Sequence, residues 1–163
     1  MCLSSTLILA SALAHSNLMS YADYTLVETP KYSFEIPKGW NLGDETPWGA
    51  RDILPKAEGG KMGAMTAGPT KASWVELYKT SLYFIQREAK GDPTPFRTGK
   101  TKLGYECMSF EVLNKDKFAN RRFTLLKNAA GSALALSINV PSKADEKKYA
   151  EMFKHMVDTA KIK

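Results

Sequence analysis

An α+β domain, an antiparallel sheet flanked by helices, is the fold class this 163-residue sequence predicts. Three observations carry it. Two segments repeat apolar residues at helical spacing, several others alternate apolar with polar residues, and short turn-rich links join consecutive strands. The length suits one domain whose core needs no disulfide or metal staple. Composition is ordinary for a globular chain, 44% hydrophobic and 25% charged, without low-complexity tracts or internal repeats.

The first 22 residues carry no formal charge, and Asp23 is the first acidic group. Within them Leu3 to Ala14 is a 12-residue, mostly apolar run. It suits the apolar segment of a signal peptide and is too short to span a bilayer. Small-x-small cleavage patterns follow at Ala12-Leu13-Ala14 and at Ser20-Tyr21-Ala22. The second removes the whole uncharged stretch and is the expected site. Residues 1–22 are therefore expected to be a signal peptide and residues 23–163 a single extracytoplasmic domain, periplasmic or secreted. No Lys or Arg precedes the apolar run, so two alternatives stay open: Met1 stands downstream of the true start, or the segment is a buried first helix. Cys2 would leave with the signal, and Cys107 alone cannot form an internal disulfide.

Strands are expected next. Tyr32, Phe34 and Ile36 alternate with Ser33 and Glu35, the pattern of a sheet with one dry face. The strand runs into Pro37-Lys38-Gly39. Proline ends the ladder bond there, glycine permits a reverse bend, and Trp40 is expected to fold back over the edge of the core. The alternative for Trp40 is a surface aromatic at a binding site. A hairpin is expected between residues 49–54 and 61–67, turning through Pro55 to Gly60.

Ser73 and Glu76 form a capping-box pattern at the start of the first helix. Trp74, Leu77, Tyr78, Leu82 and Ile85 then share one face, and Gly91 supplies a stop after Lys90. Strands follow at Met108, Phe110 and Val112 and at Phe123 to Leu126, joined through residues 114–120. Leu134, Leu136, Ile138 and Val140 alternate with Ala133, Ala135, Ser137 and Asn139. That second face is small rather than charged, which predicts a central strand covered on both sides. The last helix begins near Ser142, and Tyr149, Met152, Phe153, Met156, Val157 and Ala160 form its apolar stripe. Lys161 and Lys163 are expected at its C-terminal end, where the helix dipole favours positive charge.

Few residues suggest chemistry. Residues 94–101, TPFRTGKT, end like a phosphate-binding loop, but the earlier glycine is missing and an alternating strand follows instead of a helix. Histidine is nearly absent. His15 lies in the predicted signal, and His155 is expected beside the apolar stripe as a partly exposed surface residue rather than a catalytic base. Any Ser–His–Asp or Cys–His device would have to use this one imidazole, and the count excludes a histidine-rich zinc site. Cys107 is either a half-buried strand thiol or a nucleophile activated by Lys100 and Lys102. Asp44, Glu45, Asp52 and Glu58 form an acidic loop region whose alternative role is to hold a hard cation, but they match no calcium-loop spacing and are expected to be solvated.

The net charge of +6 is unevenly spread. Asp23 to Phe96 carries 9 basic and 10 acidic residues, whereas Arg97 to Lys163 carries 14 basic and 7 acidic. Such asymmetry favours an acidic partner or an anionic membrane surface, the alternative being a solvated face that aids solubility. Arg97, Lys100, Lys102, Arg121 and Arg122 form the candidate partner-binding basic face. No recognised nucleic-acid motif accompanies them, so nucleic acid is not an expected partner.

The motif Phe34-x-Ile36-Pro37-x-Gly39-Trp40, followed by a glycine-bearing strand, a mid-chain helix, a three-strand meander and a closing helix, resembles the PsbP-like superfamily. These are the extrinsic photosystem II subunit and its bacterial extracytoplasmic relatives. The resemblance covers roughly residues 24–162. It implies an α/β/α sandwich and a usually non-enzymatic domain that assists a larger assembly. The expected function is accordingly an accessory or binding protein that docks on a membrane-associated protein complex, monomeric and without a cofactor. The alternatives are a small-molecule enzyme or carrier using a cleft between sheet and helix, and a cytoplasmic effector chaperone if the N-terminus is retained. N-terminal sequencing of the native protein separates these compartments: a chain starting at Asp23 is expected, and one starting at Met1 would overturn export.

Overall fold

The computed structural model describes residues 23–55, 60–67, 70–85 and 91–163; the predicted signal peptide and most of the expected turn, residues 56–59, lie outside them. In chain order the elements are β1 (Tyr24–Glu28), β2 (Tyr32–Pro37), β3 (Trp40–Leu42), β4 (Ala50–Pro55), β5 (Lys61–Ala67) and α1 (Trp74–Ile85). Then come β6 (Asp92–Pro93), β7 (Arg97–Lys100), β8 (Glu106–Leu113), β9 (Ala119–Lys127), β10 (Ala133–Asn139), α2 (Glu146–Thr159) and β11 (Lys161–Ile162). Among the described residues the strands form two antiparallel sheets. The large one runs β3-β4-β5-β10-β9-β8-β6, with β7 also on β8, and the small one runs β1-β2-β11.

Central β10 has the predicted two-sided burial. Leu134, Leu136 and Ile138 are fully buried in a core shared with Tyr32, Phe34 and Ile36 of β2 and with Tyr149, Met152, Phe153 and Met156 of α2. Ala133 and Ala135 face the other way, into a second core with Met108, Phe110 and Val112 of β8 and Ile85 of α1. The result is three layers: α1, the large sheet, and α2 with the small sheet. No helix among the described residues is long and apolar enough to cross a membrane.

The capping box at α1 forms as expected. Ser73 N–H donates to Glu76 Oε2 at 2.8 Å, and Glu76 N–H donates to Ser73 Oγ at 3.3 Å. The Ser73 N–H and the Ser73 hydroxyl, which also donates to Glu76 Oε2 at 2.8 Å, hold the Glu76 pKa below its usual range. Residues 86–90 lie outside the described ones. Gly91 has a further reason to be glycine, because a Cβ there would sit 2.3 Å from the Leu113 carbonyl oxygen of β8.

Two details of the last helix depart from expectation. Ser142 caps a short 3-10 turn, Lys143–Asp145, and α2 proper starts at Glu146. The helix stops at Thr159, so Lys161 is not in a helical turn; it pairs with Ser33, and Ile162 with Tyr32, as the edge strand β11. Thr159 explains the switch, because its hydroxyl accepts the Glu35 N–H at 3.0 Å and brings the chain onto β2. From there the backbone gains more from sheet pairing than from another helical turn.

The corner after β2 is structural. Gly39 has φ +84°, Lys38 N–H donates to the Asp23 carbonyl at 2.7 Å, and Trp40 is half-buried with its ring edge-on to Tyr149, centroids 6.2 Å apart. Tyr149 also joins the β4–β5 hairpin to α2: its hydroxyl accepts the buried Gly60 N–H at 2.8 Å. Tyr149→Phe leaves that amide unpaired and is expected to cost about 1–3 kcal/mol in urea unfolding. An unchanged midpoint would show that the bond contributes nothing.

Candidate functional site

A groove of about 330 Å³ opens between α2 and the β7–β9 edge of the large sheet. Phe153 and Val157 of α2 form one wall; Arg97, Ser109, Arg122 and Thr124 line the other. Strand alternation sets this composition, because Arg97 is the register partner of Ser109 and Ser109 of Thr124, so all three point to the α2 side. Polar residues on that side are mostly satisfied locally, the buried Arg122 Nε being an exception. The Ser109 and Thr124 hydroxyls bond each other at 2.9 Å. Arg122 pairs with Glu111, its register neighbour, and lies 3.5 Å from Glu146 of α2. Lys154 pairs with Asp158 one turn on. Arg97, at the mouth, is exposed and makes no ion pair among the described residues. The lining includes neither imidazole nor thiol, and the groove presents a cationic rim over a floor whose charges are paired locally.

The five predicted basic residues are divided by the same alternation. Arg97 and Arg122 face the α2 side. Lys100 pairs with Glu106, and Arg121 with Val112 and Asn139, which places both on the α1 side. Lys102 lies in the turn after β7. What Arg97, Lys100 and Lys102 share is an exposed edge: among the described residues β7 pairs only with β8, and all four of its residues are exposed.

Cys107 sits half-buried on β8, against the core shared with α2. Burial pushes its thiol pKa up, partly offset by the Gly99 backbone amide. Lys100 points to the opposite face, so the thiolate gains no support from it. The acidic group disperses as well. Glu45 bonds Lys31 at 2.6 Å and Arg51 at 3.2 Å, and Asp52 pairs with Lys61 at 2.9 Å. Asp44 stands exposed, and Glu58 lies outside the described residues. The Lys31 hydrogen bond is the main reason the Glu45 pKa falls below its usual range. Among the described residues no three His, Cys, Asp or Glu side chains come together to hold a metal.

One cluster escapes sequence reasoning. His155 is partly exposed, as expected, but engaged: its Nε2 lies 2.6 Å from Glu35 Oε2, and its ring stacks on Tyr24 with centroids 3.8 Å apart. Burial, then the charges of Glu151, Asp23 and Glu35, raise the Tyr24 pKa. The trio clamps α2 to β1 and β2. Glu35 on the outward phase of β2 was the available signal, but its partner lies 120 residues away.

With Cys2 replaced by serine, Cys107 is expected to alkylate several-fold more slowly in the folded chain than in urea, since only the thiolate reacts. Faster reaction in the folded chain would reveal an activated nucleophile.

No protein-family model matches the chain, and no curated protein matches it in sequence. Solved structures do. The solution structure of cyanobacterial PsbP from Synechocystis covers 93% of this chain and 99% of its own, with a TM-score of 0.62 at 12% sequence identity. PA94, a Pseudomonas aeruginosa protein of unknown function, covers 82% of this chain and 96% of its own, with a TM-score of 0.44 and 12% identity, too low to add to the argument. Over nearly its whole length, then, the chain has the PsbP-like fold.

Proposed function

We propose that this chain is an exported, non-enzymatic accessory protein that docks on a larger membrane-associated protein complex, after removal of residues 1–22. The single observation that carries the reading is the exposed basic edge. Arg97, Lys100 and Lys102 lie on β7 and the turn after it, exposed and without ion pairs among the described residues. Cations left unpaired on one edge steer an acidic partner and set its orientation. Arg122 contributes less, because Glu111 already neutralises it. The PsbP-like fold supports the reading, since extrinsic subunits of that superfamily assist larger assemblies.

Crosslinking of the full chain in envelope extracts tests this reading. Crosslinks to a protein component are expected to weaken as ionic strength rises. In the variant Arg97→Glu with Lys100→Glu they are expected to fall at least tenfold, about 1.4 kcal/mol or more of lost association. Crosslinks that persist unchanged in the variant would overturn the basic edge as the docking surface.

A further inference from the structure

Four hairpin turns in the described chain share one hydrogen-bond pattern. In each, the first residue donates to the fifth and accepts from the fourth, and the fourth is left-handed. They are Thr46–Ala50, Thr101–Tyr105, Asn114–Phe118 and Asn128–Ser132, with φ of +76° at Gly49, +85° at Gly104, +60° at Lys117 and +84° at Gly131. The two tip residues point away from the sheet, and turn chemistry there favours polar side chains. The turn at 114–118 follows that preference with Lys115 and Asp116. The other three carry Pro47-Trp48, Lys102-Leu103 and Ala129-Ala130.

Strand register puts those three at one end of the large sheet and the charged turn at the other. Lys100 pairs with Glu106, Glu106 with Lys127, Lys127 with Ala133, and Ala133 with Ala67. Each of these residues adjoins an end-of-strand loop on the same side, and the β3–β4 turn joins them where Thr66 N–H donates to the Gly49 carbonyl. The apolar tips are held out in solvent, Trp48 81% exposed and Leu103 46%. Nor is the Trp48 loop slack. Its turn bonds are reinforced by Ala50 N–H to Thr46 Oγ1 at 3.0 Å and by Arg51 bridging Gly43 and Glu45.

Charge at this end is net positive. Lys71, Lys100, Lys102 and Lys161, the last placed here by the Ile162 N–H bond to the Tyr105 hydroxyl, are exposed without ion pairs among the described residues, against Asp44, Glu76 and Glu106. Five strand spacings separate the Trp48 and Leu103 tips, roughly 24 Å, with the Ala129-Ala130 tip between them. A protein hot spot gathers its anchors into one central patch, and these are spread across the whole sheet end. A fluid lipid surface takes separate anchors at once: an aromatic at headgroup level, an aliphatic tip, and lysines against anionic headgroups.

We infer that this end of the sheet is a lipid-contacting face that seats on an anionic bilayer surface through Trp48, Leu103 and the surrounding lysines. The inference rests on the reading of the chain as a protein that works beside a membrane, and it adds a second contact to the basic edge.

The test is co-sedimentation of the full chain with vesicles of phosphatidylcholine alone or in equal parts with phosphatidylglycerol. Binding to the anionic vesicles is expected, and Trp48→Ser with Leu103→Ser should weaken it at least tenfold. Lys115→Ser with Asp116→Ser, in the matching turn at the far end, should leave it unchanged. Brominated acyl chains should quench tryptophan emission in the parent and much less in Trp48→Phe, where Trp40 and Trp74 remain. Full binding by the Trp48/Leu103 variant would overturn the inference, because another segment would then hold the chain on the vesicle. So would tip-dependent binding to polyglutamate with none to vesicles, which would assign the face to an acidic protein. Either failure leaves the salt-sensitive crosslinks of Arg97 and Lys100 untouched, so the two ideas fall separately.

Discussion

Everything in this fold hangs on β10 being covered from both sides by neighbours of different thickness. Its even positions, Leu134, Leu136 and Ile138, fill the core beneath α2, and its odd positions, Ala133 and Ala135, leave room above for α1. Seven consecutive pairs tie it to β5 and seven to β9. Slipping the register by one residue would turn the aliphatics toward the side built for small groups and open voids on the other, so packing specifies the register from both faces. The small face continues into β5, where Gly63 opposes Ser137 and a Cβ would come within 3.0 Å of the serine hydroxyl.

With the central strand fixed, the elements around it are joined by close approaches rather than by charges. At Gly60 a Cβ would meet the Tyr149 ring at 2.0 Å, and at Gly91 one would strike the Leu113 carbonyl at 2.3 Å. Backbone is therefore pressed directly against α2 and β8, and the Tyr149 hydroxyl satisfies the amide that this approach buries. Charged contacts are peripheral. The Glu111–Arg122–Glu146 group lies at the groove, half-exposed, where water screens it and an ion pair contributes little stability.

Local patterns carried much of this into the sequence. The 3.6-residue repeat around Trp74 to Ile85 and Tyr149 to Val157 reports helices because each needs only its own buried face. The small face of β10 reports a helix above it for the same reason. Residues whose roles depend on topology were not legible. His155 looked isolated because Glu35 and Tyr24 reach it only through the packing of α2 on the small sheet. Lys161 looked like a helix end because nothing local foretells that Thr159 would hand the chain to β2. The basic residues looked like one surface in a linear reading, yet alternation divides Arg121 from Arg122 and Arg97 from Lys100. Only the edge position of β7, a property of strand order, gathers Arg97, Lys100 and Lys102 again.

The two ends of the sheet are built to different rules, and stability accounts for only one. At the end bearing Lys115 and Asp116, that turn follows ordinary solvent chemistry and the adjoining backbone is locked by Gly60, Gly91 and the Gly39 corner. At the other, identical turn geometry carries Trp48, Leu103 and Ala130. A tip side chain that touches no core does not help to close its turn; the hydrogen bonds and the left-handed glycine do that alone. Placing tryptophan there exposes apolar surface to water with no folding gain, and loop residues free of packing constraints are where binding chemistry collects. The asymmetry therefore belongs to what the domain touches, and the lysines between the tips give that contact its sign.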